Sequence, residues 1–87
     1  MFKKCLWLLI NPGPCGYDTY DSAVVIAETE KEARIIHPSG SDDWDGKDEY
    51  GSWCNASEVE VKYLGELSFE NYYKYSFGVV CASFNAG

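Results

Sequence analysis

Asp21 to Pro38, DSAVVIAETEKEARIIHP, reads as strand, capped helix and stop within one short stretch. Ala23 to Ala27 is a small, β-branched apolar run, which suits a packed, pleated strand. Thr29-Glu30-Lys31-Glu32 fits a capping box: the Thr29 hydroxyl accepts from the amide three residues on, and Glu32 reaches back toward the start of the turn. Pro38 closes the segment, because proline disfavours helical geometry at the residue before it. The helix is therefore expected over Glu30 to His37, with Ala33, Ile36 and His37 on its inner face. Two turns of helix do not persist alone in water, so this one must pack on a sheet.

Working outward, three further strands are expected. Lys3 to Ile10 is nearly continuous in hydrophobicity from Cys5, as a central strand covered on both faces would be. Ser22 to Glu28 is the strand already read. Glu58 to Leu67, EVEVKYLGEL, alternates, with Val59, Val61 and Tyr63 on one face and Glu58, Glu60 and Lys62 on the other. Gly78 to Phe84 closes the set. The expected fold class is α+β, a small four-stranded antiparallel sheet in the order ββαββ with one short helix on one face. Between these elements lie Asn11 to Tyr20, stiffened by Pro12 and Pro14, the acidic and glycine-bearing segment Ser39 to Ser57, and the aromatic stretch Ser68 to Phe77, which reads as loop or irregular strand.

The chain has 87 residues, which is one domain, residues 1–87, with a modest core. Its 14 acids against 7 bases give a net charge of −7. That balance excludes the basic footprint of a nucleic-acid binder and disfavours an anionic membrane surface; it suits a basic protein partner. Aromatic residues make up 16% of the chain, more than a small core needs, so some are expected at the surface.

Cys5, Cys15, Cys54 and Cys81 are widely spaced with no Cys-x-x-Cys pair, and the only histidine is His37. No zinc site is expected, and the thiols are read as free in a reducing cytoplasm. Asn11-Pro12-Gly13-Pro14 ends the first apolar run too early for a signal peptide or a membrane span. In SDDWDGKDEYGS, residues 41–52, Asp43 and Asp45 match a calcium loop around Gly46, but Ser52 stands where the bidentate glutamate belongs. No metal and no cofactor are expected.

Candidate contact residues are Tyr17, Asp18, Tyr20 and Asp21 in GYDTYDS, Trp44 and Trp53 in the acidic segment, and Phe84 and Asn85 at the end of the last strand. Aromatic anchors beside carboxylates suit a protein contact. Asp18 and Asp21 would also serve as an acid–base pair, but no nucleophile or second base accompanies them, and no enzyme is expected. His37 is read as a cation favoured at a helix C-terminus.

The strand KKCLWLL, the blocks GYDTYD and EKEARIIHP, and the closing ASFNAG resemble a family of small proteins encoded by bacteriophages and prophages. The resemblance implies a bacterial host cytoplasm and no particular chemistry. Phage inhibitors of bacterial immunity, anti-CRISPR proteins among them, are similar in size, acidity and build, a likeness of class and not of motif. Two functions are therefore expected in order: a small acidic interaction protein that acts on a basic host protein of defence or nucleic-acid processing, or a small-molecule binder, for instance of a nucleotide signal, working as an oligomer.

Overall fold

The computed structural model describes residues 3–13, 19–41, 44–48 and 51–85. Four antiparallel strands form one sheet: β1 Cys5–Ile10, β2 Thr19–Ala27, β3 Glu60–Glu66 and β4 Gly78–Asn85. Their spatial order is β3-β1-β2-β4, which makes β1 and β2 central and β3 and β4 the edges. The expected α+β class holds. The expected ββαββ order is interrupted, because a second short helix, α2 Phe69–Tyr72, lies between β3 and β4 in addition to α1 Glu30–Arg34.

Alternation along the strands places Leu9, Ala23, Val25 and Ala27 on the covered face. There they pack with Ala33 of α1 and with Trp53, Cys54 and Val59 from the segment before β3. Ala23, Ala27 and Ala33 are small and buried in one cluster, which lets helix and sheet approach closely. Val61 follows Val59 onto this face. Tyr63 shares the register but is exposed, its ring meeting Trp7 edge-on at 5.2 Å. On the opposite face Ile26, beside Leu6, is fully buried while Leu6, Leu8, Ile10 and Val24 are half-buried, so β1 is central and this second face is covered only in part.

The α1 cap forms as the sequence dictates on one arm and differently on the other. Glu32 N donates to Thr29 Oγ1 at 3.2 Å, while Glu32 Oε2 accepts from the Glu28 amide, one residue earlier than a capping box places it. Thr29→Ala is expected to cost about 1 kcal/mol, read as a lowered denaturation midpoint with an unchanged slope.

The helix stops at Arg34, not His37. Pro38 has no N–H to donate to the Arg34 carbonyl, and Ile35 already leaves helical geometry at φ −96°, ψ 10°. Ile36 still packs against the core, as its spacing from Ala33 predicts. Arg34 ties the helix to the far segment: its Nη1 donates to the carbonyls of Ala56 at 3.1 Å and Val59 at 2.6 Å.

Candidate functional site

One end of the sheet gathers aromatic rings from four separate segments. Tyr20 sits at the start of β2 and Phe84 at the end of β4, and antiparallel register sets them opposite each other. Their rings lie 4.7 Å apart. His37, just beyond α1, meets Tyr20 edge-on at 6.0 Å and Trp44 edge-on at 5.1 Å. Trp44 is itself fixed, because its Nε1 donates to the Lys47 carbonyl at 2.8 Å. Phe84 is exposed, and Tyr20, His37 and Trp44 are half-buried, so the patch is anchored to the core from below and open above. Offset and edge-on ring contacts of this kind stabilise beyond the area they bury.

His37 is held as a neutral ring. Ser39 N donates to its Nδ1 at 3.1 Å, and the Ser39 hydroxyl lies 2.8 Å from the same atom. Nδ1 is thus an acceptor, and the ring proton belongs on Nε2. Burial among the rings lowers the His37 pKa, and Asp48 opposes this by raising it. The expected helix-terminal cation is therefore replaced by an aromatic partner: α1 ends too early to place His37 in its last turn, and desolvation disfavours the charge.

A pH effect follows with a definite sign. A base whose folded pKa lies below its unfolded value of about 6.5 takes up protons on unfolding, so its contribution is complete above that pH and is lost as pH falls toward the folded pKa. The stability difference between wild type and His37→Gln is expected to shrink as pH is lowered below about 6.5, measured by urea denaturation across pH.

Of the other candidate residues, Asp21 lies at a register shift in β2, half-buried, and accepts at Oδ1 from the Ser22 hydroxyl at 3.4 Å. Asn85 closes β4 opposite Thr19. Trp53 is 3% exposed and belongs to the core beneath the loop, so it supports the patch and offers no ring to a partner. Tyr17 and Asp18 lie outside the described residues, as does Cys15. Cys5 is buried and Cys81 exposed, both as free thiols. Among the described residues no three His, Cys, Asp or Glu side chains gather as a metal would require. No helix among them is long and apolar enough to cross a membrane.

Two features escape the sequence reading. The first is Asn11, buried at the junction of β1 and the following loop. Its Nδ2 donates to the carbonyls of Tyr20 and Trp53, both at 3.3 Å, and its Oδ1 accepts from Gly13 N at 3.0 Å. Beside it opens a cleft of about 350 Å³ lined by Asn11, Thr19, Asp48, Trp53, Cys54 and Glu58, among others. The Trp53 Nε1 is buried and has no hydrogen-bond partner among the described residues. The second is the aromatic segment around α2, at the other end of the sheet. Lys4 Nζ donates to the carbonyls of Tyr72 at 2.7 Å and Tyr75 at 2.9 Å and lies over the Tyr72 and Phe77 rings. Phe69 and Tyr73 stand out from it, 81% and 74% exposed. The density of aromatics in SFENYYKYSF was the available signal.

In comparison with known proteins, no family model, curated protein or solved structure matches this chain.

Proposed function

We propose that this chain is a small acidic interaction protein that docks on a basic protein through the patch of Tyr20, His37, Trp44 and Phe84. The observation that carries the reading is the convergence of four rings from β2, the turn after α1, the acidic segment and β4 onto one open face. Rigid aromatic anchors lose little entropy on binding and supply most of the energy of a contact. Asp21, Asp45 and Asp48 stand in the same segments, on a chain of net charge −7, and a field of that sign speeds encounter with a positive partner. The resemblance to bacteriophage-encoded proteins makes a bacterial host protein, of defence or nucleic-acid processing, the first partner class to test.

The cleft beside Asn11 favours a second reading, a small-molecule binder. Its volume is at the lower end of the range for ligand sites. Asp48 and Glu58 in its wall repel phosphate, so a cationic or neutral polar molecule fits it better than a nucleotide signal. Capture from a bacterial lysate separates the two. The first reading expects one stoichiometric basic protein, released as salt rises, because screening shortens the reach of surface charge. A chain that emerges with a bound metabolite and no protein partner would support the second reading and overturn the first.

A further inference from the structure

β3 and β4 are the two edges of the sheet, yet they are consecutive strands, so residues 67–77 must cross β1 and β2 to join them. The crossing spans three inter-strand gaps, about 14 Å. It runs where β1 starts and β2 finishes, because Glu66 pairs with Cys5 and Gly78 with Ile26. α1 occupies the core face. Lys4, which grips the crossing, falls by alternation on the other face, with Leu6 and Ile26. The crossing accounts for a contrast on that face. Ile26, at the crossing, is 1% exposed, while Leu8, Ile10 and Val24, further along the strands, are half-buried.

We propose that residues 67–77 are a hinged strap latched by Lys4, which swings off the sheet as one unit and bares Leu6 and Ile26 while the four strands stay paired. The latch is one ammonium. Lys4 Nζ donates to the carbonyls of Tyr72 and Tyr75, at the C-terminal side of α2, and lies 4.5 Å from the Tyr72 ring centroid and 5.4 Å from that of Phe77. Two carbonyl oxygens and two ring faces complement a cation, so removing that charge frees the strap. α1 packs on β1, β2 and β3, and α2 contacts none of them as extensively. The strap also bonds within itself. The amides of Asn71 and Tyr72 donate to the Ser68 carbonyl, and those of Lys74 and Tyr75 to the Asn71 carbonyl. Such a segment opens as a unit, below the cost of unfolding the sheet. Glycines at positive φ stand at both ends, Gly65 at 151° and Gly78 at 121°, where no side chain resists rotation of the backbone. The strap lies at the end of the sheet away from the ring patch and does not depend on the proposed function.

The test is hydrogen exchange of the full chain, wild type against Lys4→Met, which keeps the apolar stem and removes the charge and its donors. The amides of Asn71, Tyr72, Lys74 and Tyr75 are expected to exchange at least tenfold faster in the variant, and those of β1 and β2 within about twofold of wild type. Wild type alone covers the case in which Lys4→Met fails to fold. In low urea its strap amides are expected to exchange through an opening with a smaller urea dependence than the strand amides show, because that opening exposes less surface. Strap amides that keep the wild-type rate in folded Lys4→Met overturn the inference. So does an equal acceleration of strap and strand amides, or a single urea dependence shared by both in wild type.

Discussion

Replacing Trp53 by alanine is expected to remove about 3–5 kcal/mol of stability, the range for deleting a large aromatic from a packed core. The indole is 3% exposed and packs in the cluster with Leu9, Val25 and Ala33. A chain of this size has a total stability of the order of 5–10 kcal/mol, so the variant is expected to lose much or all of its folded population at 37 °C. The melting temperature of any folded remainder should fall by roughly 15–30 °C. Trp53→Phe is the informative companion. It keeps most of the buried ring and removes the Nε1 donor, which has no hydrogen-bond partner among the described residues. Part of the packing loss is offset by relief of that desolvated group, and a change below about 1.5 kcal/mol is expected. A Trp53→Ala protein that melts like wild type would take Trp53 out of the core and return it to the candidate contact residues.

Asn11→Ala is expected to cost about 2–4 kcal/mol, more than its single side chain suggests. The residue is 9% exposed, and its amide bridges the start of β2, through the Tyr20 carbonyl, to the loop beneath the patch, through the Trp53 carbonyl. Truncation deprives both carbonyls of a donor and the Gly13 amide of an acceptor. Asn11→Asp should be no milder. It keeps an acceptor for Gly13 but turns a carboxylate toward two carbonyl oxygens. Chemical denaturation of both variants, with the slope held equal to wild type, measures the loss directly. Because Tyr20 and Trp53 are both tethered to Asn11, the same variants are expected to loosen the ring patch, seen as a weaker upfield shift of the Phe84 ring protons.

These two residues show where sequence reading succeeds and where it stops. The strand cores were legible because alternation and β-branching are local, and Val59 and Val61 fell on the expected face. The Thr29 cap was legible for the same reason, since the donor lies three residues from the acceptor. Asn11 was not, because its decisive bond spans 42 residues and nothing near it in sequence announces Trp53. Tyr20, Trp44 and Phe84 were each legible as contact candidates. Their union was not, because it depends on the register that sets Tyr20 against Phe84 and on α1 ending early enough to free His37. α2 has four residues, too few for any apolar period to show, and it is held from outside by Lys4.

The central claim is that the ring patch binds a protein. Its most direct test compares capture of the same lysate partner by wild type, by Trp44→Ala and Phe84→Ala, and by Phe69→Ala and Tyr73→Ala at the opposite end of the sheet. All four substitutions fall outside the buried core, so each protein is expected to fold, which circular dichroism checks. The account predicts that the first pair loses the partner at least tenfold while the second pair retains it. Folded Trp44→Ala and Phe84→Ala proteins that capture the partner as well as wild type would contradict it.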